Sequence, residues 1–167
     1  YLSENGFEIG SDTEYVRMME LAANQGHVLA EFQMGFCYEN GVGVEWNGEL
    51  SFEYYLKAAT KGYSYAGLLV GLCYEQGVGV SKDLSLALEW FKKSAESGHP
   101  VGCFKVGLCY FYGMGTEVNE EKGTKWFEVA ADKGYWEGLL MIALFYHYGR
   151  IFERDRNKSI QFFEKAV

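Results

Sequence analysis

Cationic side chains are scarce in this chain: 15 Lys and Arg stand against 23 Asp and Glu, a formal net charge of -8. That balance opposes nucleic acid and anionic membrane surfaces as partners, since both reward clustered Lys and Arg, and it fits basic targets better. Proline occurs once in 167 residues, and 49% of the residues are hydrophobic, so the composition of a disordered chain is missing as well. Long apolar runs are also lacking. The longest, at 68–74 and 139–146, fall far below the roughly 20 residues needed to cross a bilayer, so no membrane insertion is expected. Neither a signal peptide nor a targeting tail is recognisable. The first residue is Tyr1 rather than Met, which leaves a signal in a longer parent open, and with it the secretory-pathway lumen.

What the chain has instead is a period of 36 residues. Gly35, Gly71 and Gly107 fall in one column, with Ala143 next; Tyr38, Tyr74, Tyr110 and Tyr146 fall in a second. Gly41, Gly77, Gly113 and Gly149 make a third, Asn47, Asp83, Asn119 and Asp155 a fourth, and Gly26, Gly62, Gly98 and Gly134 a fifth. Self-similarity at one fixed offset marks a repeat architecture.

The unit at 64–99 shows what is repeated. Ala66, Val70, Gly71, Cys73 and Tyr74 recur at helical spacing. Gly77 and Gly79 then break that helix with a left-handed cap and a turn. Asp83 reads as the N-cap of a second helix carrying Leu84, Ala87, Leu88, Trp90, Phe91, Ser94 and Ala95, which stops at Gly98. Pro100 suits the first turn of the next helix. Each unit is thus an αα-hairpin, helix A followed by helix B, that buries its apolar face only by stacking on its neighbours.

The units predicted are a partial one over 1–27, complete ones over 28–63, 64–99 and 100–135, and a truncated one over 136–167, making one array that reads as a fragment of a longer protein. In the partial unit 1–10 resembles a degraded helix A with its glycine loop, and Ser11 falls in the N-cap column. Where helices approach, the small residues Gly35, Gly71, Gly107 and the pairs Ala22-Ala23, Ala58-Ala59 and Ala130-Ala131 are expected to admit close contact. Tyr54, Trp90, Trp126 and Phe162 are expected to fill the space beside them as core.

The succession A-x-x-x-[VL]-G-x-x-Y-x-x-G-x-G-V, then an Asp or Asn cap, then W-x-x-x-A-A-x-x-G resembles the Sel-one-like repeat (SLR), a relative of the tetratricopeptide repeat. Ala66, Val70, Gly71, Tyr74, Gly77, Gly79, Val80, Asp83, Ala87, Trp90, Ala95 and Gly98 carry the match, and the likeness runs over essentially the whole chain. It implies an all-α, right-handed α-solenoid of stacked antiparallel helix hairpins. It also implies a non-catalytic scaffold or adaptor that presents a curved surface to partners in multiprotein complexes. Departures are local: Thr116 follows Gly115, Tyr54 replaces the usual Trp, and Ile151 takes the place of Gly43 and Gly79 in the fourth unit.

The cysteines bear on compartment. Cys37, Cys73 and Cys109 share one column on successive A helices, at the ~8 to 10 Å of packed helix axes, beyond the ~7 Å between Cα atoms that a disulfide tolerates. Cys103 and Cys109 lie on one helix and face differently. Some secreted members of the family bridge the two helices of every repeat with a Cys pair, a pattern absent here. Reduced, buried thiols and a cytoplasmic setting are expected.

Candidate chemistry is thin. Gly77-Val78-Gly79 and its copies lack the third glycine of a dinucleotide loop and follow a helix rather than a strand; no G-x-x-x-x-G-K-[ST] occurs. His27, His99 and His147 are the only histidines, with no zinc spacing around them. Glu39 and Glu75 and the Glu120-Glu121 pair offer carboxylates that nothing in the sequence draws together. The single glycosylation sequon, Asn157-Lys158-Ser159, is at chance level. No catalytic, cofactor or metal site is expected.

A stripe on helix A, at offsets i, i+4, i+7 and i+11, is more informative. It holds Leu29, Gln33, Phe36, Asn40; Tyr65, Leu69, Leu72, Gln76; Val101, Lys105, Leu108, Tyr112; and Glu137, Met141, Leu144, Tyr148. In solenoids of helical hairpins the A helices line the concave face. The stripe is thus expected to form a groove for an apolar or basic peptide or an amphipathic helix, contacted by Phe36, Tyr65, Leu69, Leu72, Lys105, Leu108, Tyr112, Met141, Leu144 and Tyr148. The competing reading has Phe36, Leu72, Leu108 and Leu144 packed between adjacent A helices. Two other functions stand beside the adaptor: a self-associating module, and a hydrolase of the kind proposed for disulfide-rich relatives that bind β-lactams, whose cysteine pattern this chain lacks.

Overall fold

The structure, a computed structural model, describes residues 12–167. The degraded helix A expected over 1–10 and the cap expected at Ser11 lie outside them. Nine helices and no strand occur among the described residues. The all-α class of 36-residue helix hairpins predicted from the sequence is thus the observed one. The chain divides into two compact units, one ending at Lys82 and the other beginning at Asp83.

The first unit contains α1 (Asp12–Asn24), α2 (Val28–Asn40), α3 (Gly48–Thr60) and α4 (Ser64–Gln76), each packed on the next. α2 ends at Gly41 in the left-handed region, φ 69°, whose N–H donates to the Cys37 carbonyl. A short loop then leads to Asn47, whose side chain accepts from the Leu50 N–H at 3.0 Å and opens α3. Burial follows the small-residue column: Gly35 faces Tyr55, and a Cβ built on Gly35 would lie 2.6 Å from that ring. Tyr55, Met34 and Cys37 are fully buried. Glu31 is buried as well, its Oε1 accepting from Lys61 Nζ at 2.6 Å; that lysine also donates to the Gly26 carbonyl.

The second unit contains α5 (Leu84–Glu96), α6 (Pro100–Tyr112), α7 (Glu120–Asp132), α8 (Trp136–Tyr148) and α9 (Arg156–Ala166), again packed in succession. Asp83, Asn119 and Asp155 cap α5, α7 and α9 through their side-chain oxygens, and Pro100 occupies the first turn of α6. Phe127 organises the core. It is fully buried, its ring centroid stands 5.3 Å from Phe104, 5.8 Å from Phe111 and 6.2 Å from Phe145, and a Cβ on Gly107 would lie 2.6 Å from its ring.

This packing corrects one expectation. Tyr54, Trp90, Trp126 and Phe162 are only half-buried; the side chains beside the glycines belong to the following residues, Tyr55 and Phe127, and Phe91 is likewise fully buried. An amphipathic helix B turns about 100° between consecutive residues, so the neighbour of a boundary aromatic takes the centre of the buried face. The displaced aromatics lie along the edge of the core instead. Tyr54 stacks on Tyr38 at 5.8 Å, Phe162 stacks on Tyr146 at 5.9 Å, and the Trp90 ring is covered by Lys93 Nζ at 3.9 Å.

Ile151, which stands where other units have a loop glycine, is the one non-glycine residue with positive φ among the described residues, at 68°. A β-branched side chain is poorly suited to that region. Ile151→Gly is therefore expected to raise stability by about 0.5 to 1 kcal/mol, the relieved strain of roughly 1 to 2 kcal/mol being partly offset by the entropy of a more flexible unfolded chain. A shift of the urea midpoint to higher concentration with an unchanged slope would show it.

Candidate interaction surface

In the first unit the stripe lies on α2 and α4. Leu29, Phe36, Asn40, Tyr65 and Gln76 are exposed, while Gln33, Leu69 and Leu72 are half-buried. Phe36, Tyr65 and Leu69 come together on an open cleft of about 280 Å³, whose other lining residues are Phe32, Gln33, Glu39 and Tyr55. Leu72 is not part of that lining. Phe32 is held edge-on by Tyr63 at 5.0 Å and touches the rings of Tyr55 at 5.7 Å and Tyr65 at 5.6 Å. Buried Tyr55 donates its hydroxyl to Glu39 Oε2 at 2.6 Å. Burial, followed by that bond to a carboxylate, pushes the Tyr55 phenol far above its ordinary range. Tyr15 donates to Gln33 Oε1 at 3.2 Å and fixes the rim.

Phe32 and Tyr55 escaped the sequence reading, in which Glu39 figures only as a carboxylate with no partner in the sequence, not as part of this cleft. Helical spacing held the only signal: Phe32 and Glu39 stand four residues before and three after Phe36 on α2, so they flank the stripe on which Phe36 lies.

In the second unit the stripe lies on α6 and α8. Tyr112 and Tyr148 are exposed, and Val101, Lys105, Leu108, Glu137, Met141 and Leu144 are half-buried. Lys105 Nζ stands 5.6 Å from the Phe91 ring centroid. The Tyr112 ring meets Phe111 edge-on at 5.1 Å, and the Tyr148 ring meets His147 at 4.8 Å. Arg150 bonds Glu120 at 2.6 Å and lies 4.9 Å from the Phe111 ring. The most exposed of the expected contact residues are aromatic: Phe36 at 44%, Tyr65 at 41%, Tyr112 at 60% and Tyr148 at 73%.

The glycine loops have a different use. A larger cleft of about 740 Å³ is lined by Trp46, Asn47, Gly48, Glu49, Gly77, Gly79, Val80 and Ser81. Two of its polar groups are engaged in capping: the Gly77 N–H donates to the Cys73 carbonyl at 2.7 Å, and the Asn47 side chain caps α3. No group of three or more His, Cys, Asp or Glu suited to a metal ion occurs among the described residues. The four thiols are buried and form no disulfide; burial raises Cys37, Cys103 and Cys73, the last to about 11. No helix among the described residues is long and apolar enough to cross a membrane.

The Sel1 repeat model matches the chain over 16–27, 28–63, 64–99, 100–135 and 136–167. The chain belongs to the Sel1-repeat family. Among solved structures it is similar to c5321, a protective antigen of uropathogenic Escherichia coli with an SLR fold, at 26% identity and a TM-score of 0.85 over 93% of this chain and 33% of that one. It is also similar to a Sel1 repeat protein from Oxalobacter formigenes, at 32% identity and a TM-score of 0.81, over 92% of this chain and 65% of that one. Cysteine rich protein B of Helicobacter pylori shares 26% identity and a TM-score of 0.58, over 74% of this chain and 93% of that one. The chain thus spans a third of the first of these proteins and under two thirds of the second. No curated protein matches it. Sel1-repeat proteins typically mediate protein–protein interaction and are generally non-catalytic.

Proposed function

We propose that the chain is a non-catalytic adaptor whose A helices bind protein or peptide segments within a larger assembly. The observation that carries this reading is the exposure of Phe36 and Tyr65 in one unit and of Tyr112 and Tyr148 in the other. Exposed aromatic groups beside half-buried Leu69, Leu72, Leu108, Met141 and Leu144 supply rigid contact area, to which the three tyrosines add a polar tip, the composition favoured at the centres of protein interfaces. Each unit supplies its own strip, and Lys105 adds a cation to the second. The buried, unbridged thiols support a reducing, cytoplasmic setting.

The test is capture from a lysate of the source organism by the natural chain and by Leu69→Glu/Leu108→Glu, with circular dichroism establishing that the double variant is folded. Loss of a defined partner from the variant alone is expected. Identical capture by both would move binding to the B helices or loops. A mass in solution of two chains that the substitutions halve would mark self-association instead.

A further inference from the structure

We infer that the cleft on α2 and α4 is a pocket for one large apolar side chain of a partner, with Glu39 placed to pair the Lys or Arg that flanks it. This rests on the protein-binding reading and specifies its ligand. Phe32, Phe36, Tyr65 and Leu69 form apolar walls, and the volume of about 280 Å³ falls just below the roughly 300 to 1,000 Å³ of small-molecule sites. That is room for a single aromatic, Leu or Met anchor.

The charge of the ligand follows from the charge of the host. Residues 1–82 carry eleven Asp and Glu against four Lys and Arg, whereas 83–167 carry twelve against eleven. The acidity of the chain is therefore concentrated in the part that holds this cleft. None of the four cations lines it. Lys61 is bonded to Glu31, and Lys57 lies 4.7 Å from the Tyr54 ring centroid. Within the lining the one ionisable carboxylate is Glu39, and Tyr55 pins its Oε2, leaving Oε1 to accept from an incoming cation. A carboxylate fixed by a buried phenol avoids the entropy loss of an unrestrained rim side chain, so its pairing with a guanidinium or ammonium is favoured. An acidic or purely neutral segment finds no counterpart here.

The experiment is selection of a displayed random-peptide library on the full chain, followed by fluorescence polarisation of recovered peptides against the natural chain, Glu39→Gln and Tyr65→Ser. Glutamine can still accept from Tyr55, so Glu39→Gln removes charge while retaining that contact. Recovered peptides should carry an aromatic, Leu or Met residue within a few positions of Lys or Arg. Glu39→Gln should weaken them about five- to tenfold, and less at high salt. Replacing the basic residue of the peptide by Gln should weaken binding to the natural chain equally while leaving binding to Glu39→Gln unchanged; that non-additivity locates the pair whatever either change does to stability. Peptides that bind without a basic residue, or whose losses are additive, overturn the pocket and leave the adaptor reading standing. Recovery of no peptide overturns both. A dimer of the free chain that Glu39→Gln or Tyr65→Ser dissociates would make a second copy the occupant and also overturn it.

Discussion

Phe127→Ala is expected to destabilise the protein by about 3 to 5 kcal/mol, the range for aromatic truncation in a close-packed core. The ring is fully buried and meets Phe104, Phe111 and Phe145, and it fills the space that Gly107 leaves open. Alanine would open a cavity walled by three aromatic rings and a helix backbone, which is too rigid to collapse into it. The half-buried neighbour serves as the comparison: Trp126→Ala removes a larger side chain yet should cost far less. Chemical denaturation of both variants decides the matter, and equal losses would return the core to the tryptophan column. Because α6, α7 and α8 all contribute to the cluster, the damage should spread over both repeats they belong to.

Gly79→Ala is expected to cost about 2 to 5 kcal/mol for two separable reasons. The residue sits at φ 69°, where a Cβ adds roughly 1 to 2 kcal/mol. The new methyl would also overlap the Gly48 carbonyl oxygen at the start of α3, forcing apart two backbones at an overpacking penalty of about 1 to 3 kcal/mol. Gly62→Ala separates the two terms. Gly62 has φ 90° but nothing within 4 Å of a built Cβ, so that variant should show the backbone term alone. Thermal melts of the two single variants measure the difference, and comparable losses would mean that the loop can move off α3.

The repeat fold was legible because its punctuation is chemical. Asp83 and Asn119 cap helices through side-chain oxygens, and Gly41 and Gly77 end helices where an L side chain is strained. These requirements are local and recur at a fixed offset, so period and boundaries could be read together. Which aromatic sits deepest was not legible. Trp90 and Phe91 are adjacent, both apolar and both recurrent, and the choice between them depends on a helix rotation set by contacts with another helix. The cleft was only partly legible for the same reason. Phe36, Tyr65 and Leu69 fell on the predicted stripe, but Glu39 joins them through Tyr55, a residue 16 positions away on α3. Such a contact leaves no trace in the spacing of α2.

The buried thiols give each of the three repeats over 28–135 its own clock. Cys37, Cys73 and Cys103 belong to successive units, and burial holds all three above the ordinary thiol range, Cys73 at about 11. Folded, they are shielded from solvent and almost entirely protonated at neutral pH, so an alkylating reagent must wait for the surrounding helices to open. The rate at which each thiol is modified therefore reports the opening equilibrium of its own repeat. Opening of these three repeats can be followed with the natural residues, without a label or a substitution.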